Sequence, residues 1–190
     1  MEKARQGTRG RAANALEREV EARAEVSTRA PAEIVYDVLA DLGSHLRWAG
    51  QMQTERNHLL SLDAPDGPAM VGTEFGSVGQ APEGRYADRS VVTEASRPSL
   101  FEFVTQAHVV TKRGKSAELT NVTRYEIAPM SDGCRISSTV RTVRASSLPG
   151  PLALLNVGFL APLVRRGSEA MVRRGLRNLA VVAEERAGLR

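Results

Sequence analysis

Between residues 50 and 145 the chain has no stretch with apolar residues at helical spacing; it has short runs of alternating character parted by turn signals. The breaks fall at Asp63–Pro68, Ala81–Gly84, Arg97–Pro98, Lys112–Lys115 and Ser131–Gly133. Alternating runs bounded by Gly, Pro and Asp read as strands. The spacing places them near 51–61, 72–79, 85–95, 99–109, 117–128 and 134–144. Connections this short cannot carry parallel crossovers, so the strands form an antiparallel meander. Any fold open to this chain must hold six consecutive strands and cover their apolar face.

The flanks supply the cover. Residues 17–29 alternate, with Val20, Ala22, Ala24 and Val26 on one face and Glu19, Glu21, Arg23 and Glu25 on the other, so a further strand with one buried side precedes the meander. The small Ala22 and Ala24 leave space above the sheet, for a cavity or for a helix side chain. The period then changes. Over residues 30–42, Ile34, Val35, Val38, Leu39 and Leu42 fall on one helical face, Pro31 suits the first turn and Gly43 stops the helix. A second short helix spans about 44–48, with Ser44 as its cap. Residues 160–186 carry the longest helical pattern: Val164, Ser168, Met171, Val172, Leu176, Leu179, Val182 and Ala183 share a face, and Arg165, Arg166, Arg173, Arg174 and Arg177 mostly cover the other. Gly167 and Gly175 within it point to close packing on the sheet or room for a ligand, with close packing the plainer reading. Residues 145–164 carry no charge, but Pro149, Pro151, Pro162, Gly150, Gly158 and Asn156 argue against a membrane span. They read as an apolar segment folded over a cavity mouth, with membrane-surface contact through 148–164 as the lesser alternative.

Charge excludes one large class. Residues 1–16 are net +3 and 165–190 net +4, while 17–164 are net −3, so the basic balance comes from the two ends. A nucleic-acid groove would spread cations over one folded face and interleave aromatics, which this chain does not do; no nucleic-acid partner is expected. Residues 1–16 read as a disordered basic tail and 17–190 as one domain. With Cys134 alone there is no internal disulfide, and the N-terminus lacks the apolar core of a secretory signal; a cytoplasmic protein is expected. His45, His58 and His108 are scattered, so no metal and no cofactor is expected.

Several stretches resemble the START-like superfamily, the polyketide cyclase/dehydrase and lipid-transport proteins. VSTRAPAEIVYDVLADLGSHLRW resembles its opening: a strand, Ala-Pro, an amphipathic helix and a Trp. VGTEFGSVG, VVTEASRPSLFEFVT and TNVTRYEIAPMSDGCRISSTV resemble its Gly-led third strand, its strand–Pro turn–strand and its last hairpin, and the likeness covers about 20–186. The resemblance implies an α+β helix-grip fold. In it a curved antiparallel seven-stranded sheet wraps around a long C-terminal helix, with two short helices after the first strand and an apolar ligand cavity between sheet and helix. It implies binding or transport of a small hydrophobic or amphipathic molecule, lipid- or polyketide-like. Alternatives are a cyclase-, aromatase- or dehydratase-like enzyme without metal, and a protein-interaction module using the Arg-rich helix. Oligomeric state is left open.

The family has no universal catalytic motif, so the candidates are the polar and aromatic residues expected to face inward. The expected inward sets are Phe101, Phe103 and Thr105; Leu119, Asn121, Thr123, Tyr125 and Ile127; and Ile136, Ser138, Val140 and Thr142, since Glu118, Arg124, Glu126, Arg135 and Arg141 fill the alternates. The ligand-binding candidates are Trp48, Phe75, Phe101, Phe103, Asn121, Thr123, Tyr125, Ser138, Met171 and Gly175; the catalytic candidates are Tyr125, Asn121, Tyr86 and Arg85. Each has a plain counterpart. Trp48 reads as a core anchor ahead of a pocket wall, and Tyr125 and Asn121 can equally bond one another or a buried water. Arg124 faces out unless the register slips by one. His108 and His58 read as structural, His45 and Asp41 as a cap and charge pair, and Cys134 has no legible base.

Overall fold

The computed structural model describes residues 19–82, 84–146 and 161–190, with side chains from 165 onward in the last stretch. Strand β1 (Val20–Thr28) leads into α1 (Ala32–Ala40), a 3-10 turn (Leu42–Ser44) and a π-helical turn (Leu46–Gln51). Six strands follow: β2 (His58–Asp63), β3 (Glu74–Ala81), β4 (Gly84–Ser96), β5 (Leu100–Thr111), β6 (Ser116–Met130) and β7 (Gly133–Ala145). The chain closes with α2 (Ala161–Arg186). All seven strands form one antiparallel sheet in the order β1-β7-β6-β5-β4-β3-β2. This is the helix-grip fold. β1 crosses to the far edge beside β7, and the meander runs back to β2.

The sheet bends where its pairing skips a residue, because a bulge adds local twist. Three such shifts occur, at Leu59/Ser61, Val92/Glu94 and Thr120/Asn121. The second sets Val92 opposite Phe103 and Ala95 opposite Phe101, so β4 keeps an apolar inner face through a three-residue step. The core lies between the sheet and the helices, with Val35, Val38, Leu39, Leu42, Phe101, Ile136, Leu176, Leu179 and Ala183 all almost fully buried. Truncating one of these large side chains costs about 2–5 kcal/mol. α2 runs closest to β1, with α1, the π turn and β7 beside it. The small Ala22 and Ala24 therefore admit the helix; the space above them is not where a ligand would sit.

The C-terminal half of α2 is tied down at several points. Glu184 is buried and accepts hydrogen bonds from Thr28 Oγ1, the Arg29 amide and Arg190 Nε. Asn178 Nδ2 donates to the carbonyls of Trp48 and Met52, both at 3.0 Å, and so fastens the π turn to the helix.

Several local expectations are corrected. Residues 51–57 are not strand: the π turn and a following bend occupy them, and β2 starts only at His58. Ser44 does not cap a helix; its Oγ donates back to the Val38 carbonyl. His45 and Asp41 do not pair. His45 bonds the Leu39 carbonyl, and Asp41 pairs with Arg186. Neither helix glycine marks a tight contact: a Cβ at Gly167 would meet nothing, and one at Gly175 would only touch Gln53 Nε2 at 3.6 Å. The basic tail 1–16 and most of the uncharged segment 145–164 lie outside the described residues.

Candidate functional site

Two periodicities position the site. Alternation along β3–β7 sends every second side chain to the concave face, and the helical face of α1 and the π turn closes one end of it. The protein is poor in aromatics, yet six of its eight gather here: Tyr36, Trp48, Phe75, Phe101, Phe103 and Tyr125. With His45 they close a ring of contacts. His45 lies 4.7 Å from Trp48, Trp48 6.4 Å from Tyr125, Tyr125 6.4 Å from Phe103, Phe103 5.3 Å from Phe75, and Phe75 6.5 Å from His45. Most pairs meet edge to face, the arrangement that aligns ring edges with ring faces. Trp48 is 5% exposed, and its indole N–H has no acceptor among the described residues. Buried donors are almost always paired, so this one stands out.

Polar side chains follow on the same face. One row runs straight across four neighbouring strands: Ser90, Thr105, Asn121 and Thr142, each the register partner of the next, with Phe75 opposite Ser90. Ser90 and Thr105 share a 2.8 Å hydrogen bond, and Thr142 Oγ1 donates to Asn121 Oδ1 at 2.8 Å. A second row holds Ser77 and Asp88; the Ser77 amide and hydroxyl both donate to the Asp88 carboxylate. Burial raises the Asp88 pKa against the lowering effect of those bonds. Tyr125 faces its register partner Ser138 deeper in, and desolvation pushes the Tyr125 phenol above its ordinary value against a lowering influence of that serine. Tyr86 lies flat across β3, where a Cβ on Gly79 would come within 2.2 Å of its ring; burial pushes its phenol up to about 12.

The candidates thus divide. Trp48, Phe75, Phe101, Phe103, Asn121, Thr123, Tyr125 and Ser138 come together on the concave face or its end wall. Tyr86 faces the same way at the β3 side. Arg85 does not: it is exposed, one residue out of phase with Tyr86, on the convex face. Met171 does not either; it is 45% exposed on the flank of α2. Gly175 sits over Gln53 of the π-turn region and not over the sheet. Arg124 faces outward and pairs with Glu102 and Glu126. His108 pairs with Glu118 on the outside, and His58 bonds the Thr54 carbonyl. Cys134 is fully buried with its thiol pushed up to about 11 by desolvation, which suits an inert core residue. Sequence reasoning misses Ser77, Asp88, Ser90, Thr142 as a site residue, and Asn178. In β4 the two alternate sets each mix charged and apolar residues, so alternation does not choose between them; Asn178 reads as a solvent residue because helical spacing cannot show what it reaches.

A depression of about 810 Å³ opens on the β2–β5 side of the sheet, around Glu74, Val78, Arg89, Val104 and Gln106. These five belong to the outward set of their strands, but Phe75, Ser77, Asp88 and Ser90 of the inward set also line it. Among the described residues no group of His, Cys, Asp and Glu could hold a metal ion, and no helix is long and apolar enough to cross a membrane.

Comparison with known proteins now decides the family. The model of the family described as polyketide cyclase / dehydrase and lipid transport matches residues 18–184. The chain belongs to that family. Its general function is accordingly the binding of a small hydrophobic or amphipathic ligand in the groove between sheet and helix. No curated protein matches it by sequence. Among solved structures, a conserved protein from Geobacillus kaustophilus is similar at TM-score 0.62 and 10% identity, covering 87% of this chain and 96% of its own. A protein from Rhizobium leguminosarum gives 0.61 at 12%, covering 90% and 97%. One from Thermus thermophilus gives 0.60 at 19%, covering 88% and 99%. At these identities the likeness speaks for the fold alone.

Proposed function

We propose that this family member holds its ligand without transforming it, as a carrier or sequestering protein. The observation that carries this reading is the state of three ionisable groups on or beside this face, His45, Tyr125 and Asp88. His45 Nε2 must donate to the Leu39 carbonyl, which has no proton to give, and burial lowers its pKa to about 4, so the ring is neutral and already bonded. Tyr125 is buried beside Ser138, and desolvation makes it harder to ionise than a free phenol. Asp88 takes two bonds from Ser77. A general acid or base needs a pKa near the working pH and a free line to the substrate proton. None of these three groups meets both conditions. The aromatic end wall supplies apolar contact at about 25 cal/mol per Å² buried.

The test is native mass spectrometry of freshly purified protein, then extraction and identification of the bound molecule. A stoichiometric adduct recovered chemically unchanged after incubation is the expected result. Appearance of a cyclised or dehydrated product, lost in a folded Tyr125→Phe variant, would replace carriage with catalysis.

A further inference from the structure

Building on the groove-binding reading, we infer that the row Ser90–Thr105–Asn121–Thr142 recognises a neutral oxygen set between hydrocarbon parts of the ligand, and that the groove rejects carboxylates. The row is one side chain deep and crosses β4, β5, β6 and β7 without interruption. On one side lie Val92, Phe103, Thr123 and Val140, leading to the aromatic ring; on the other lie Asp88, Ala107, Leu119 and Ala145. On β5 to β7 the belt is therefore flanked by largely apolar side chains, with Asp88 at the β4 end of one flanking row. The pairing shift at Thr120/Asn121 places Asn121 directly opposite Thr142, which completes the row.

The belt has donors left over. Ser90 and Thr105 share one bond, so one of their two hydroxyl hydrogens remains. Asn121 Oδ1 is taken by Thr142, which turns the amide NH₂ away, and that NH₂ has no acceptor among the described residues. Trp48 adds a third unmet donor at the aromatic end. Spare donors ask for an acceptor: a ketone, ester, ether or hydroxyl oxygen.

They do not ask for an anion. Arg89, Arg124 and Arg141, the cations next in sequence to these inward positions, all project from the convex face, and the last two pair with Glu102, Glu126 and Glu19 there. The charged side chain nearest the belt on its own face is Asp88, one row away, which would repel a carboxylate. Burying an ion without a partner is strongly unfavourable.

The experiment uses the full chain and the neutral fluorophore N-phenyl-1-naphthylamine, displaced by three competitors of equal carbon number: tridecane, the mid-chain tridecanone and tridecanoate at pH 7. The expected order is ketone strongest, with the carboxylate at least about tenfold weaker than the ketone. Asn121→Leu should abolish the preference for ketone over tridecane; Thr105→Val, close in shape, gives the same reading if Asn121→Leu does not fold. Equal displacement by ketone and tridecane, or strongest displacement by tridecanoate, overturns this inference and leaves groove binding intact. Failure of the wild-type protein to take up the fluorophore or to bind any competitor overturns the groove-binding reading itself.

Discussion

His45 makes the π turn sensitive to acid. Its ring is almost fully buried between Trp48 and Phe75, and its pKa falls from 6.5 to about 4. Desolvation is the main cause, opposed by the bond to Leu39 and by Asp41. A histidine with a depressed folded pKa is bound by fewer protons in the native than in the unfolded chain between the two values. Stability is then complete above 6.5 and declines as pH falls towards 4. At 1.36 kcal/mol per pKa unit, the loss reaches about 2 kcal/mol at pH 5 and tends to about 3 kcal/mol below the folded pKa. The assay is urea unfolding at pH 7.5 and pH 5, wild type against His45→Gln, whose amide can still donate to the Leu39 carbonyl but does not titrate. The carboxylates, Asp88 with its raised pKa among them, titrate alike in both proteins, so the difference between the two isolates the imidazole. Wild type should lose about 2 kcal/mol more than the variant over that interval. Equal losses would show that burial does not hold the ring neutral, and the argument for its structural role would fail with it.

Three further outcomes follow from the packing. Asn178→Ala removes both hydrogen bonds that fasten the π turn, at a cost of about 2 kcal/mol, and calorimetry should show Tm lower by about 4–8 °C; an unchanged Tm would mean water replaces the amide without loss. Gly79→Ala drives a methyl into the Tyr86 ring and should cost about 1–3 kcal/mol in chemical denaturation, with most of it recovered in the Gly79→Ala/Tyr86→Ser double variant; no recovery would place the strain elsewhere. Cys134, buried and with its thiol at about 11, should react with a disulfide reagent at pH 8 only as fast as the protein unfolds, and immediate labelling would contradict its placement.

Much of this was legible in the sequence wherever charge decided the phase. In β6 and β7 one alternate set contains Glu118, Arg124, Glu126, Arg135 and Arg141, so the other had to face inward, and Thr123, Tyr125, Ile136 and Ser138 do. In β4 Arg85 and Arg89 oppose Tyr86 and Asp88, and alternation alone could not say that the buried acid faces in. Bulges were hidden for a related reason. The extra residue in β4 is read only from the partner strand, since nothing in VVTEAS marks it. The π turn at 46–51 was hidden because LRWAGQ has neither a strand period nor a cap, and its geometry is imposed by Asn178 from the far end of the chain.

The distribution of side chains on the concave face is itself an argument about purpose. A sheet packed only for stability would match its inner side chains in size to the helix above them. This one does so at β1, where Ala22 and Ala24 accept α2, and at the aromatic end, where Leu176 and Leu179 join Phe101 and Ile136 in the core. It stops doing so across β4 to β7. There a row of hydroxyls and an amide occupies positions that apolar residues would fill at lower cost, and the small Ala107, Ala117 and Ala145 beyond the row are buried yet separate from the main core. Paired hydroxyls contribute about 1 kcal/mol each at best, and unmet donors cost about as much. A face graded from aromatic to polar to small apolar residues is poorly suited to a core. It matches a guest that is itself apolar, then polar, then apolar along its length.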